Sequence, residues 1–166
     1  MAIVKATYTK SSAGAKASIR YIEHRPGKDG AKTTRVLFGN DGHMGRWQAY
    51  SMVDEAAQGS YFYRFAISPD PHKEDTAKDL HLRHVTEQTM HQLEALLQKQ
   101  ISWVAAVHDD HAPHRHVHVV AIVPERLQVQ DFQALRQRAT DVSLAQRHQR
   151  DLAQGEQEKK EIQREW

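Results

Sequence analysis

Two hydrophobic, β-branched runs, residues 101–108 (ISWVAAVH) and 116–123 (HVHVVAIV), flank a polar stretch of seven residues, and this pair constrains the fold more than any other feature of the chain. Successive side chains on a strand point to opposite faces, so His116 and His118 share one face while Val117 and Val119 take the other. If the two runs close as an antiparallel hairpin with His108 opposite His116, their Cβ atoms lie about 5 Å apart, with His118 one diagonal step away. Three imidazoles then converge on one patch of a sheet.

The rest of the chain supplies further strands and the helices to cover them. Residues 2–9 read as a strand, 10–14 as a loop, and 15–24 as a short helix stopped by Pro26-Gly27. A turn-rich basic loop leads to a short strand at 33–38, a loop at 39–45 and a helix at 46–58. Residues 60–68 (SYFYRFAIS) are aromatic and β-branched, a strand that ends at Ser68-Pro69-Asp70-Pro71 because proline lacks the ladder donor. The acidic pair Glu74-Asp75 suits a helix start, and Val85, Thr89, Leu93, Leu96 and Leu97 give a helix over 74–99 its apolar stripe. After Pro124 a short element near 127–129 leads into a long helix. Phe132, Leu135, Ala139 and Val142 form its buried stripe, with Arg136, Arg138, Arg147 and Arg150 mostly off it. From residue 154 apolar side chains nearly vanish, which divides the chain into a domain at 1–153 and a polar helical or disordered tail at 154–166.

Composition narrows the chemistry. A chain of 166 residues with 39% hydrophobic content fits one domain with its own core. It has no cysteine, which excludes a disulfide scaffold, thiolate catalysis and a Cys-ligated metal, and suits a reducing cytoplasm. No apolar run approaches the length of a membrane span. Net charge is only +2, yet residues 1–50 hold nine Lys/Arg against three acids. That local surplus fits a phosphate-binding surface, and equally a solvated lysine-rich one.

Neutral imidazole is the commonest protein ligand for metals, and a three-histidine set leaves positions open for water or substrate oxygens. His108, His116 and His118 are therefore candidate metal ligands, with a structural hydrogen-bonded cluster as the competing reading. Asp110 is placed to accept the second ring N–H of a ligating histidine. His111 and His114 lie in the connecting loop and read as ordinary loop residues. The remaining histidines carry no individual claim.

The hydrophobic-bracketed His116-Val117-His118, with His108 eight residues upstream, resembles the HUH motif of relaxases, the single-strand DNA endonucleases that mobilise conjugative plasmids. The segment Ser18-Ile19-Arg20-Tyr21-Ile22-Glu23-His24-Arg25-Pro26-Gly27-Lys28 is similar to the tyrosine motif of the plasmid mobilisation-protein branch. Ser68 occupies the place of that branch's middle motif, which contacts DNA near the cleavage site. All five tyrosines precede the HUH segment, the relaxase order rather than that of rolling-circle initiators. The resemblance covers residues 1–125 and implies an α+β fold, a central antiparallel sheet flanked by helices in a palm or RRM-like HUH endonuclease arrangement. Full-length relaxases commonly append further regions, so the chain is expected to be a nuclease domain. The Asp109-Asp110 pair and Arg115 are not required by the family pattern.

The resemblance further implies that Tyr21 is the nucleophile, that His108, His116 and His118 hold a divalent ion, and that the reaction is transesterification giving a 5′-phosphotyrosyl enzyme and a free 3′-OH. The proton of Tyr21 must go to metal-lowered water or to a carboxylate such as Asp110. The family uses magnesium or manganese, whereas three imidazoles intrinsically favour zinc, cobalt or nickel. Arg25, Lys28 and Lys32, with Arg20, are candidate backbone contacts to single-stranded DNA at a transfer origin; Arg64 reads as a phosphate contact or a structural arginine. Tyr8 is the reserve nucleophile, and the bland alternative for Tyr21 is a core aromatic. Accessory relaxosome and secretion-coupling proteins are the implied partners, with no membrane. The rivals are a metal-dependent phosphoester hydrolase using bound water, and a non-catalytic single-strand-binding module on the same scaffold.

Overall fold

The structure, a computed structural model, describes residues 1–24, 34–109 and 114–165. The described elements are β1 (Ile3–Thr9), α1 (Ser12–His24), β2 (Phe38–Gly39), β3 (Gly42–His43), α2 (Arg46–Asp54), β4 (Tyr61–Ser68), α3 (Leu82–Leu97), β5 (Trp103–His108), β6 (His116–Val123) and α4 (Val129–Glu165). The strands form a six-stranded sheet in the order β1-β4-β6-β5-β2-β3, antiparallel at every pairing. The α+β arrangement, an antiparallel sheet flanked by helices, follows the expectation. No helix among the described residues is long and apolar enough to cross a membrane.

Strand alternation sorts the core into two layers. On one face Ala15, Ile19 and Ile22 of α1 and Ala49 and Val53 of α2 pack on Phe62, Val104, Ala106 and Val120. On the other, Val85, Met90 and Leu93 of α3 and Leu135 and Ala139 of α4 cover Phe65, Ile67, Ala105 and Val119. Each of the larger of these side chains, the Val, Leu, Ile, Phe and Met, contributes roughly 1.5–3 kcal/mol by leaving water, which makes β4, β6 and β5, covered on both faces, the rigid centre. The histidine-bearing strands belong to that centre.

Several boundaries differ from the sequence reading, each for a tertiary reason. The helix expected from residue 74 begins at Leu82, and His81 caps it by accepting the His84 N–H on Nδ1. Glu74 and Asp75 are instead drawn inward: Glu74 is fully buried and accepts the Asp70 N–H, and Asp75 binds the Arg115 guanidinium. Leu96, expected in the stripe of α3, is 38% exposed. At 34–37 there is no strand; the Arg35 N–H bonds Glu23 O and the Leu37 carbonyl accepts from Met44, so this segment follows the end of α1 and only Phe38–Gly39 joins the sheet.

Within the expected loop at 39–45, β2 and β3 form a tight hairpin whose Gly42 sits at φ +111°, open to glycine at little cost. Gly39 has a second reason: a Cβ there would meet Met44 Cε at 2.7 Å and the Trp103 carbonyl at 3.0 Å. α1 starts at Ser12, earlier than expected, because the Ser11 hydroxyl accepts the Gly14 N–H. α2 ends at Asp54 rather than 58. In α4 the stripe is as read, whereas Arg147 is buried, bonded to Asp79 at 2.6 Å and Asp151 at 2.9 Å. The polar segment from 154 continues α4 as helix to Glu165, its side chains through Arg164 almost all exposed.

Candidate metal centre

The register of the β5–β6 hairpin pairs His108 with His116 and Ala106 with His118. All three imidazoles therefore lie on the sheet face covered by α1, with ring centroids 5.3 Å (His108 to His116), 4.5 Å (His108 to His118) and 4.9 Å (His116 to His118) apart. One nitrogen from each ring falls within 4.8 Å of the other two, a spacing able to hold one metal ion. Burial grades across the site: His108 is fully buried, His118 is 9% exposed and His116 is partly buried.

A hydrogen bond fixes the tautomer of His108. His108 Nε2 lies 3.0 Å from the Ile22 carbonyl oxygen, and because a carbonyl only accepts, Nε2 carries the proton and Nδ1 the lone pair. That Nδ1 is buried and has no hydrogen-bond partner among the described residues. A buried acceptor left in this state is costly unless something coordinates it, which fits a metal ligand. His116 Nδ1 donates to the His114 carbonyl at 3.3 Å. Burial, then the His118 and Arg35 charges, push the His108 pKa down to about 3, so the ring stays neutral as a ligand must.

The hairpin end that carries His116 is clamped from outside. Arg115 donates from Nε and Nη2 to the two Asp75 oxygens at 2.9 and 2.8 Å, and from Nη2 to the Leu80 carbonyl at 2.9 Å. A bidentate pair of this kind restricts the chain next to His116 and ties it to the turn before α3. The partner of Arg115 lies 40 residues upstream, in a segment whose sequence reads as helix, so the pair has no local signal in the chain.

Tyr21 sits on α1 one residue before Ile22, whose carbonyl holds His108, and it is 41% exposed rather than packed in the core. The Arg64 guanidinium lies over its ring, 5.2 Å from the centroid. Ser68 closes β4 on the histidine face, partly buried, directly after the Ile67–Val117 pair. Arg20 is exposed on α1. Tyr8 pairs with Tyr63 in the ladder and packs against Tyr61 and Tyr63 on the opposite face of the sheet, away from the histidines. Asp110, Arg25, Lys28, Lys32 and His111 lie outside the described residues.

The geometry thus joins His108, His116, His118, the Ile22 carbonyl and the helix bearing Tyr21 into one site. No protein-family model matches the chain, and no curated protein matches it. Its chemistry therefore rests on this arrangement: a partly buried three-histidine site capable of coordinating a metal, beneath a helix that exposes a tyrosine and beside an arginine.

Proposed function

We propose that the chain is a relaxase-type nickase, cleaving single-stranded DNA at a transfer origin by metal-assisted attack of Tyr21. The observation that carries this reading is the 3.0 Å bond from His108 to Ile22, which ties a candidate ligand to the helix turn that presents Tyr21. A divalent ion held by His108, His116 and His118 would polarise a phosphate oxygen and offset charge growing at phosphorus. Magnesium or manganese is the family's choice, and zinc, cobalt or nickel fit the imidazole donors better.

The chain's own groups supply the rest. Tyr21 Oη forms a bond to phosphorus as the bond to the 3′ oxygen breaks, leaving a 5′-phosphotyrosyl link and a free 3′-OH. The tyrosine proton passes to water or to Asp110, and the departing 3′ oxygen takes up a proton in return, so that none is gained or lost overall. Because the phosphodiester is exchanged rather than hydrolysed, the reverse attack of a 3′-OH reseals the strand without ATP. In this reading Ser68 contacts the strand near the cut, and Arg20, Arg25, Lys28 and Lys32 hold its backbone. The partners implied are a transfer-origin strand, accessory relaxosome proteins and secretion-coupling proteins, in the cytoplasm.

The test is to incubate the protein with a pool of end-labelled single-stranded oligonucleotides and manganese and to resolve covalent adducts on denaturing gels. An adduct present in wild type and Tyr8→Phe, lost in Tyr21→Phe and weakened in His116→Ala supports the nickase. Cleavage with no adduct, unaffected by Tyr21→Phe, would instead identify a hydrolase using bound water. Salt-dependent binding without cleavage would point to a binding module.

A further inference from the structure

Arg64 projects from β4 on the histidine face, since its ladder neighbours there are Thr7 of β1 and Val120 of β6, and Ala66, two residues on, pairs with His118. It is partly buried, and its guanidinium lies over the Tyr21 ring. A ring face attracts the charge but offers no lone pair to the five N–H donors of a guanidinium. Three other sheltered arginines meet carboxylates, Arg46 at Glu23, Arg115 at Asp75 and Arg147 at Asp79 and Asp151, while the partly buried Arg138 meets the Gln88 amide. Arg64 has no carboxylate partner among the described residues.

A sheltered cation without a counter-charge, two residues along its strand from the row of a candidate ligand and touching the exposed tyrosine, is a site awaiting an anion. Lys5, exposed on β1 opposite Ala66, adds a second positive charge to the same face. The edge strand there presents Ile3, Lys5 and Thr7 to solvent, which leaves an extended strand room to lie against it. We infer that Arg64 is a phosphate-binding residue, gripping a backbone phosphate of single-stranded DNA next to Tyr21. The inference deepens the proposed nickase and rests on it for the identity of the strand. It gives the guanidinium two roles, holding the Tyr21 ring and fixing the phosphate against which the tyrosine is aimed.

The experiment is fluorescence anisotropy of a labelled single-stranded oligonucleotide pool against metal-free protein across a salt series, with wild type, Arg64→Ala, Arg64→Lys, Tyr21→Phe and Arg138→Ala. Arg138, bonded to Gln88 between α3 and α4 on the far face, is the charge-matched control. Arg64→Ala is expected to weaken binding about tenfold at fixed salt and to lower the salt slope by about one, with Arg64→Lys regaining the slope but not the full affinity. Tyr21→Phe and Arg138→Ala are expected to keep the wild-type slope. A wild-type slope and affinity in Arg64→Ala, with melting temperature unchanged, would overturn the inference even where the Tyr21 adduct still forms. A lowered slope without any adduct would uphold the phosphate contact and overturn the nickase. No binding by wild type would overturn both.

Discussion

His108 Nε2 donates to the Ile22 carbonyl at 3.0 Å across 86 positions of sequence, and this bond decides the chemistry of the site. It joins the end of a buried strand to the last turns of a helix and, because a carbonyl only accepts, fixes the proton on Nε2 and leaves the lone pair on Nδ1. A ligand fixed in tautomer and rotation is what a metal centre requires. The same bond sets where the backbone next to Tyr21 lies.

Metal should bind and stabilise the folded chain. Adding zinc or cobalt at about a hundred times the dissociation constant is expected to raise stability by about 2.7 kcal/mol, read as an increase in melting temperature. His116→Ala and His118→Ala should abolish the shift, since two imidazoles remain. An equal shift in these variants would place the ion elsewhere.

The apo-protein should be acid-sensitive through His108. Its folded pKa of about 3 lies below the ordinary imidazole value, chiefly through burial. Between pH 6.5 and about 3 the unfolded chain binds the proton and the native state does not, so this contribution is complete above pH 6.5 and is lost as pH falls through that window. In metal-free buffer the urea midpoint of wild type should drop more between pH 7 and pH 4.5 than that of His108→Gln. Parallel drops would show that His108 does not carry the effect.

Breaking the clamp beside His116 should cost stability and metal affinity together. Arg115→Met leaves the buried Asp75 carboxylate with the Leu80 N–H but without its counter-charge, which is expected to cost about 3 kcal/mol, or roughly 6–12 °C in melting temperature. Cobalt titration of the folded variant should show weaker binding than wild type, because the chain next to His116 is no longer held. Unchanged cobalt affinity would confine Arg115 to a purely structural role.

The distal part of α4 should be dispensable for folding. Its side chains beyond Asp151 are almost all exposed, so removing residues from 155 on is expected to change stability by less than about 1 kcal/mol in a urea titration. Arg147→Ala, by contrast, loses its bonds to Asp79 and Asp151 and should cost about 2 kcal/mol. A large loss on truncation would mean that the distal helix packs on something.

What the sequence disclosed and what it hid follow from the range of each interaction. The His108–His116 pairing was legible because strand alternation and a short connection fix the register locally. The stripe of α4 was legible because helical periodicity is local too. Glu74 and Asp75 looked like a helix start because their pull inward comes from Arg115 and the Asp70 backbone, both settled by tertiary packing. The Ile22 carbonyl could not be foreseen at all, since a backbone acceptor carries no residue-type signal. Arg64 carried a faint one, a cation amid aromatics on a strand, and only its place over Tyr21 gives it meaning.

The most direct test of the account is to find where DNA becomes attached. Wild-type protein incubated with manganese and an oligonucleotide pool, then digested with nuclease and protease, would be searched by mass spectrometry for a nucleotide-modified peptide. The account predicts the modification on Tyr21, dependent on His108, His116 and His118. A modification on another tyrosine, or strand cleavage that leaves every tyrosine unmodified, would contradict it.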